Sequence, residues 1–185
     1  LSRNRNQNHR FNFEIDQRID SLNSILIRPS FSFQQTDGYN ESNQTTTEGK
    51  FGNRTDFISS GNSQNKGFNF NNSILFRHKF RKKGRTFSLN LTQALNESET
   101  DRRNLNYTNR YYGSIISRDT SDYLSDLERQ GRTFGANLSY TEPIDKKSQM
   151  ELSYNYNNNQ NRSNQLVQEY IKNTGKYDID PDQTN

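Results

Sequence analysis

Cysteine is absent from the chain, which excludes disulfides and thiolate metal sites but is weak guidance to compartment, since many envelope proteins also lack it. Hydrophobic residues are scarce as well. They make up 27% of the 185 residues, against about 45 to 50% apolar residues in globular proteins, so a normal globular core of this size cannot form. No apolar run approaches the roughly 18 residues of a transmembrane helix, and the first residues, LSRNRNQNHR, lack the apolar centre of a signal peptide. The two histidines, His9 and His78, stand far apart, and the serines are too numerous for any one to mark a nucleophile. No catalytic constellation results, and neither enzyme activity nor a cofactor is expected. Asp178, Asp180 and Asp182 lack the Gly and distal Glu of an EF-hand loop, so they read as solvated loop and no metal site is expected.

What the chain has instead is asparagine, 27 residues of it, and a mean hydropathy of -1.26. Composition alone reads as disorder. Aromatic residues nevertheless reach 12% and fall in alternating runs, which a solvated disordered chain has no reason to arrange. In GFNFNNSILFRHKF, Phe68, Phe70, Ile74, Phe76 and Phe80 take even positions, with Asn69, Asn71, Ser73, Arg77 and Lys79 between them. After RKKGR, Phe87, Leu89, Leu91 and Leu95 alternate with Ser88, Asn90 and Thr92. A period of two is the strand signal, because successive side chains leave opposite faces. A two-residue loop at Lys83 and Gly84 pairs Phe80 with Phe87 and Phe76 with Leu91, and sets Gln93 opposite Ile74.

The same pattern occurs twice more. Phe11, Phe13, Ile15 and Ile19 are followed by a turn at Ser21, Leu22 and Asn23, then by Ile25, Ile27, Phe31 and Phe33. That register pairs Ile19 with Ile25 and Asp16 with Arg28, while Pro29 marks a bulge or an unpaired position. Phe134, Ala136, Leu138 and Tyr140 precede a loop at Ile144, Asp145 and Lys146, and Met150, Leu152, Tyr154 and Tyr156 follow, pairing Tyr140 with Met150. Strands are thus predicted near 9–19, 24–35, 67–80, 85–96, 132–142 and 148–158, with long polar loops over 36–66, 97–131 and 159–185.

The predicted fold class is all-β: an antiparallel meander of about six strands in three hairpins, part of a larger transmembrane β-barrel. Short turns at one end, long loops at the other and strands of about 9 to 11 alternating residues are the pattern of bacterial outer-membrane barrels. Aromatics gather where membrane interfaces would lie: Phe11, Phe13, Phe31, Phe33, Phe68, Phe70, Phe134, Tyr154 and Tyr156 towards the long loops, and Phe80, Phe87 and Tyr140 towards the short turns. Six strands cannot close a membrane barrel, whose smallest members have about eight, so residues 1–185 read as a partial barrel domain. Asn72, His78 and Gln93 break the apolar face, Gln93 most awkwardly. The basic cluster Arg81, Lys82, Lys83 and Arg85 reads as a solvated turn, and no nucleic acid is expected as a partner.

The Phe- and Asn-rich strands FNFNNSILFRHKF, TFSLNLTQ and TFGANLSYTEPIDKKSQMELSYNYNNNQN, with the loop ending KYDIDPDQTN, resemble the large outer-membrane barrels of Bacteroidetes-type TonB-dependent receptors. The resemblance covers about 9 to 158. It implies a bacterial outer-membrane location, outer-membrane lipid and the rest of the same barrel as partners, an upstream plug domain and TonB, and uptake of a siderophore, glycan or peptide nutrient. Neither plug nor TonB box occurs in these 185 residues. The lumen would be lined by Asp16, Arg28, Asn69, Asn71, Arg77, Lys79, Asn90, Asn137, Glu151 and Asn155, and Tyr107, Tyr111, Tyr112 and Tyr123 would be loop contacts to the nutrient. The alternatives are a non-transporting barrel serving adhesion, secretion or structure, and a soluble Asn-rich binding or adhesin domain.

Overall fold

The computed structural model describes residues 1–48 and 53–185. The described residues form one antiparallel sheet of eight strands: β1 (Ser2–Asn12), β2 (Ile15–Arg18), β3 (Asn23–Glu48), β4 (Asn53–Lys79), β5 (Thr86–Tyr112), β6 (Ile115–Pro143), β7 (Gln149–Ile171) and β8 (Lys176–Ile179). The order is a meander, β1-β3-β4-β5-β6-β7-β8, with β2 prolonging β1 along β3. The sheet is open, and among the described residues no second layer covers either face.

The principal correction to the sequence reading concerns the long loops. Residues 36–48 and 53–66 are paired strand, as are most of 97–131 and the start of 159–185. Strands β3 to β6 run for 26, 27, 27 and 29 residues, so each spans about 90 Å at about 3.3 Å per residue. Alternation fails over these stretches because both of their faces are polar, yet the backbone ladder continues without it. The reversal between β5 and β6 takes two residues, Gly113 and Ser114, with Tyr112 pairing Ile115 and Gly113 at φ 60°. Glycine at the first loop position is what a tight hairpin turn of this hand demands. The corresponding reversal between β3 and β4, at 49–52, lies outside the described residues.

The three short turns occur where the alternation breaks, but each register differs from expectation by two residues. Asp20 opens the first loop, its carboxylate accepting the N–H groups of Leu22 and Asn23 at 2.7 Å each, and Ile19 N–H donates to Asn23. Ile15 therefore pairs Ile27, Asp16 pairs Leu26, and Arg28 meets Glu14 at 2.9 Å in place of Asp16. Asp145 does the same in the third loop, accepting from Lys147 and Ser148, so Tyr140 pairs Leu152 in place of Met150. In both, an Asx turn fixes aspartate as the first loop residue and moves the loop by one. The middle loop has four residues, Arg81 to Gly84, closed by Phe80 N–H to Arg85 and Arg85 N–H to Lys82. Phe76 then pairs Leu89, and Gln93 pairs Asn72 in place of Ile74. A two-residue shift preserves face membership, so the two faces stand as read. Pro29 causes no bulge: it accepts from Phe13 N–H at 2.9 Å and cannot return the bond, and the ladder is interrupted there between β1 and β2.

Candidate membrane wall and lumen face

One face carries the apolar residues. Phe31 stacks on Phe70 and Phe33 on Phe68 across β3 and β4, at ring separations of 4.9 and 5.1 Å. Phe13 meets Phe31 at 6.3 Å, Phe80 meets Tyr140 at 6.1 Å and Phe134 meets Tyr156 at 6.5 Å. All twelve aromatics of the expected girdles, including Phe11, Phe87 and Tyr154, share this face. Among the described residues nothing covers it: Phe13 is 56% and Leu152 62% exposed.

The apolar zone crosses the sheet obliquely. Phe33 on β3 pairs Phe68 on β4, and Phe68 pairs Glu97, so the first apolar residue on β5 is Leu95, two positions lower. Leu95 pairs Arg132, and the next apolar residue, Phe134, is again two lower. Phe134 pairs Asn158, and Tyr156 is two lower still. From β3 to β7 the boundary thus falls about 20 Å along the strands while crossing about 19 Å of sheet, an inclination of about 45° for strands about 4.8 Å apart rising about 3.4 Å per residue. That is the tilt of strands in a membrane barrel, about 45°. On β1, by contrast, Phe11 pairs Phe31 and the boundary again lies two positions below Phe33. Below this line the apolar residues reach the short turns; above it, the same face carries Lys66, Glu97, Glu99, Asp101, Asp126 and Glu128.

The opposite face is largely amide and hydroxyl, with charged groups among them. Asp16, Arg28, Asn69, Asn71, Arg77, Lys79, Asn90, Asn137, Glu151 and Asn155 all lie on it. Its side chains bridge strands: Asn69 donates to Ser32, Ser73 to Asn90, Ser139 to Glu151, and Asn137 to Asn155. This face is also the crowded one. A Cβ on Gly135 would lie 2.5 Å from Thr92 Oγ1, one on Gly61 2.5 Å from Asn40 Oδ1, and one on Gly38 2.7 Å from Ser63 Oγ. Leu26, Thr100 and Val167, only 6%, 5% and 3% exposed, sit there too. The glycines make room for their cross-strand partners Thr92, Asn40 and Ser63, and the burial of Leu26, Thr100 and Val167 on this face, with most exposed large apolar side chains on the other, is the pattern of a sheet curled with its polar face inside. A hollow of about 510 Å³ on this side is bordered by Asn65, Asn69, Asn96, Asn161 and Arg129, around Gly67 and Gly131.

The four tyrosines expected as contacts in a long loop are not on a loop. All lie on strands β5 and β6. Tyr107 and Tyr111 point to the apolar-belt side, where Arg54 lies over the Tyr111 ring at 5.5 Å, whereas Tyr112 and Tyr123 point to the polar side, where Tyr123 donates to Glu169 at 3.1 Å. Period-two geometry divides any run of strand residues between faces, so sequence proximity did not bring them together.

Two features escaped the sequence reading. The first is the group Arg103, Asp122 and Tyr177, far above the belt. Arg103 Nε and Nη2 donate to Asp122 at 3.0 and 2.7 Å, and Tyr177 Oη donates to it at 2.8 Å, tying β8 to β5 and β6. The Arg103 hydrogen bonds hold the buried Asp122 carboxyl below its ordinary 3.8, and the bond to Asp122 raises Tyr177 above its ordinary 10.0. Because the folded carboxyl titrates below the unfolded one, its contribution is complete above pH 3.8 and is lost as the pH falls below that value. Asp122→Asn should release β8 at neutral pH, and wild type should release it only in acid. Hydrogen exchange at Lys176–Ile179 reads both, and unchanged protection in the variant would rule the tie out. No periodicity marks these three residues; only folding brings them together.

The second is Asn72, opposite Gln93 and beside Pro29 within the apolar face. Its Oδ1 is buried without a hydrogen-bond partner among the described residues. A stranded acceptor of this kind costs about 1 to 3 kcal/mol, so Asn72→Leu should raise stability by about 1 kcal/mol in a urea titration. A fall in stability would show that the amide is satisfied. No family model matches the chain, and no curated protein matches it.

Proposed function

We propose that this chain forms part of the wall of a bacterial outer-membrane β-barrel of the TonB-dependent receptor type, with its convex apolar belt in lipid and its concave amide face towards the lumen. The observation that carries the reading is the oblique belt: aromatic at both borders, aliphatic between, inclined as barrel strands are to the membrane. A soluble sandwich supplies a second sheet over such a face, and here none is present among the described residues. The open edges, β1 with β2 on one side and β7 below the stretch that pairs β8 on the other, are then the sites where the rest of the barrel pairs.

In this orientation the turns at 19–23, 80–85 and 144–148 lie on the periplasmic side, and β3 to β6 continue well beyond the outer border of the belt. The wall therefore stands above the membrane as sheet, not as mobile loops. An imported nutrient meets the amide-lined hollow around Gly67 and Gly131 on its way through, and that hollow replaces the four tyrosines as the proposed contact. Its amides, with the charged Glu97, Arg129 and Arg162 at its border, suit a polar solute rich in hydrogen-bonding groups.

The reading is tested on the full-length protein by fractionating cell envelopes and extracting the membranes with alkaline carbonate. Retention in the outer-membrane fraction is expected. Release into the carbonate supernatant would favour a soluble or peripheral domain.

A further inference from the structure

Two turns separated by some sixty residues of chain, 80–85 and 144–148, meet at the periplasmic end of the sheet. Lys82 Nζ reaches Glu142 at 2.6 Å and the Pro143 carbonyl at 2.8 Å, and Arg85 grips the same carboxylate at 2.6 and 2.8 Å. Tyr140 Oη donates to it as well, at 2.7 Å. Arg85, Lys82 and Tyr140 together hold Glu142 far below the ordinary carboxylate range. The other nearby acid, Asp145, is committed to the N–H groups of Lys147 and Ser148. Both carboxylates are thus occupied, and no ion pair among the described residues involves Arg81, Lys83, Lys146 or Lys147. Between the turns lies a cleft of about 740 Å³ lined by Lys82, Lys83, Lys146 and Lys147 together with Asp145, Pro143 and Ile144. Ile144 is 67% exposed at its edge.

We propose that this cleft binds the phosphate group of an anionic phospholipid from the inner leaflet of the membrane. The inference rests on the barrel reading, which places the cleft just below the inner girdle of Phe80, Phe87 and Tyr140. Uncompensated ammonium groups on two independent turns supply the charge, and a phosphate is the anion available at that depth. The exposed Ile144 selects lipid over free phosphate, because an inorganic anion gains nothing from an apolar rim, whereas a glycerol ester and the start of an acyl chain do.

The experiment uses the full-length protein in zwitterionic phosphatidylcholine bilayers doped with phosphatidylglycerol, and native mass spectrometry counts retained lipids. Insertion is checked separately by heat-modifiable gel mobility. Wild type should retain phosphatidylglycerol over phosphatidylcholine, and the variant Lys83→Gln/Lys146→Gln/Lys147→Gln should insert normally but lose that preference by about a hundredfold, from about 1 kcal/mol per basic residue. Equal retention by wild type and variant overturns the proposal. Displacement of the lipid by millimolar inorganic phosphate overturns it in favour of a free-anion site. A wild type that fails to insert overturns the barrel reading itself, an outcome separate from insertion without lipid preference.

Discussion

Leu91→Arg should abolish or severely slow assembly into lipid. On β5 the belt runs from Phe87 to Leu95, and Leu91 is its middle residue, flanked by Ile74 and Ala136 on the neighbouring strands. A guanidinium on the lipid face at the midplane of a barrel costs about 2 to 4 kcal/mol, a large fraction of the roughly 5 to 15 kcal/mol by which a domain is stable. The matched control is Asn71→Arg, on the polar face at nearly the same height, where the new charge meets the aqueous lumen. Refolding into dilauroyl-phosphatidylcholine vesicles, read by heat-modifiable mobility, should separate the two variants. Equal assembly would show that the faces have been assigned the wrong way round.

The second large effect belongs to the concave face. Gly135→Ala should destabilise the sheet by about 1 to 3 kcal/mol, the usual cost of overpacking, because the new methyl would lie 2.5 Å from Thr92 Oγ1. Thr92 is short and β-branched, so its hydroxyl cannot swing clear as the end of a long side chain would. Thr92→Ala should be mild alone and should restore most of the loss when combined with Gly135→Ala. A double-mutant cycle by urea unfolding measures the coupling. Additive effects would contradict the crowding, and with it the argument that the sheet curls towards its polar face.

The sequence makes plain where the two faces of the sheet differ in polarity. Between Phe68 and Phe80 one face is apolar and the other polar, so the chain alternates and the face of every residue can be read. Register is less visible, since it depends on where a loop begins, and Asp20 and Asp145 decide that through their bonds to backbone N–H groups two and three residues on. The strands above the belt are the least legible. In Ser59–Gln64 both faces are polar, so only the hydrogen-bonded ladder defines the strand, and a ladder leaves no periodic trace. One local cue was present: Gly113 and Ser114, between Tyr112 and Ile115, form a hairpin turn within what reads as loop.

The polar pair inside the belt has a simpler account in the observed register than in the expected one. Gln93 faces Asn72 instead of Ile74, so two amides share one site and neither is set against an aliphatic partner across β4 and β5. The mismatch is thereby confined to one row, next to the proline that already interrupts the ladder between β1 and β2.

The central claim is that the apolar face between Phe87 and Leu95 lies in lipid and the alternate residues face water. Because the chain has no native cysteine, single cysteines placed in turn from Phe87 to Leu95 in the membrane-assembled full-length protein can be titrated with a charged, membrane-impermeant maleimide. The account predicts a period of two, with Leu89 and Leu91 protected and Ser88, Asn90 and Thr92 labelled. Uniform labelling along the strand, or protection of the even positions, would contradict it.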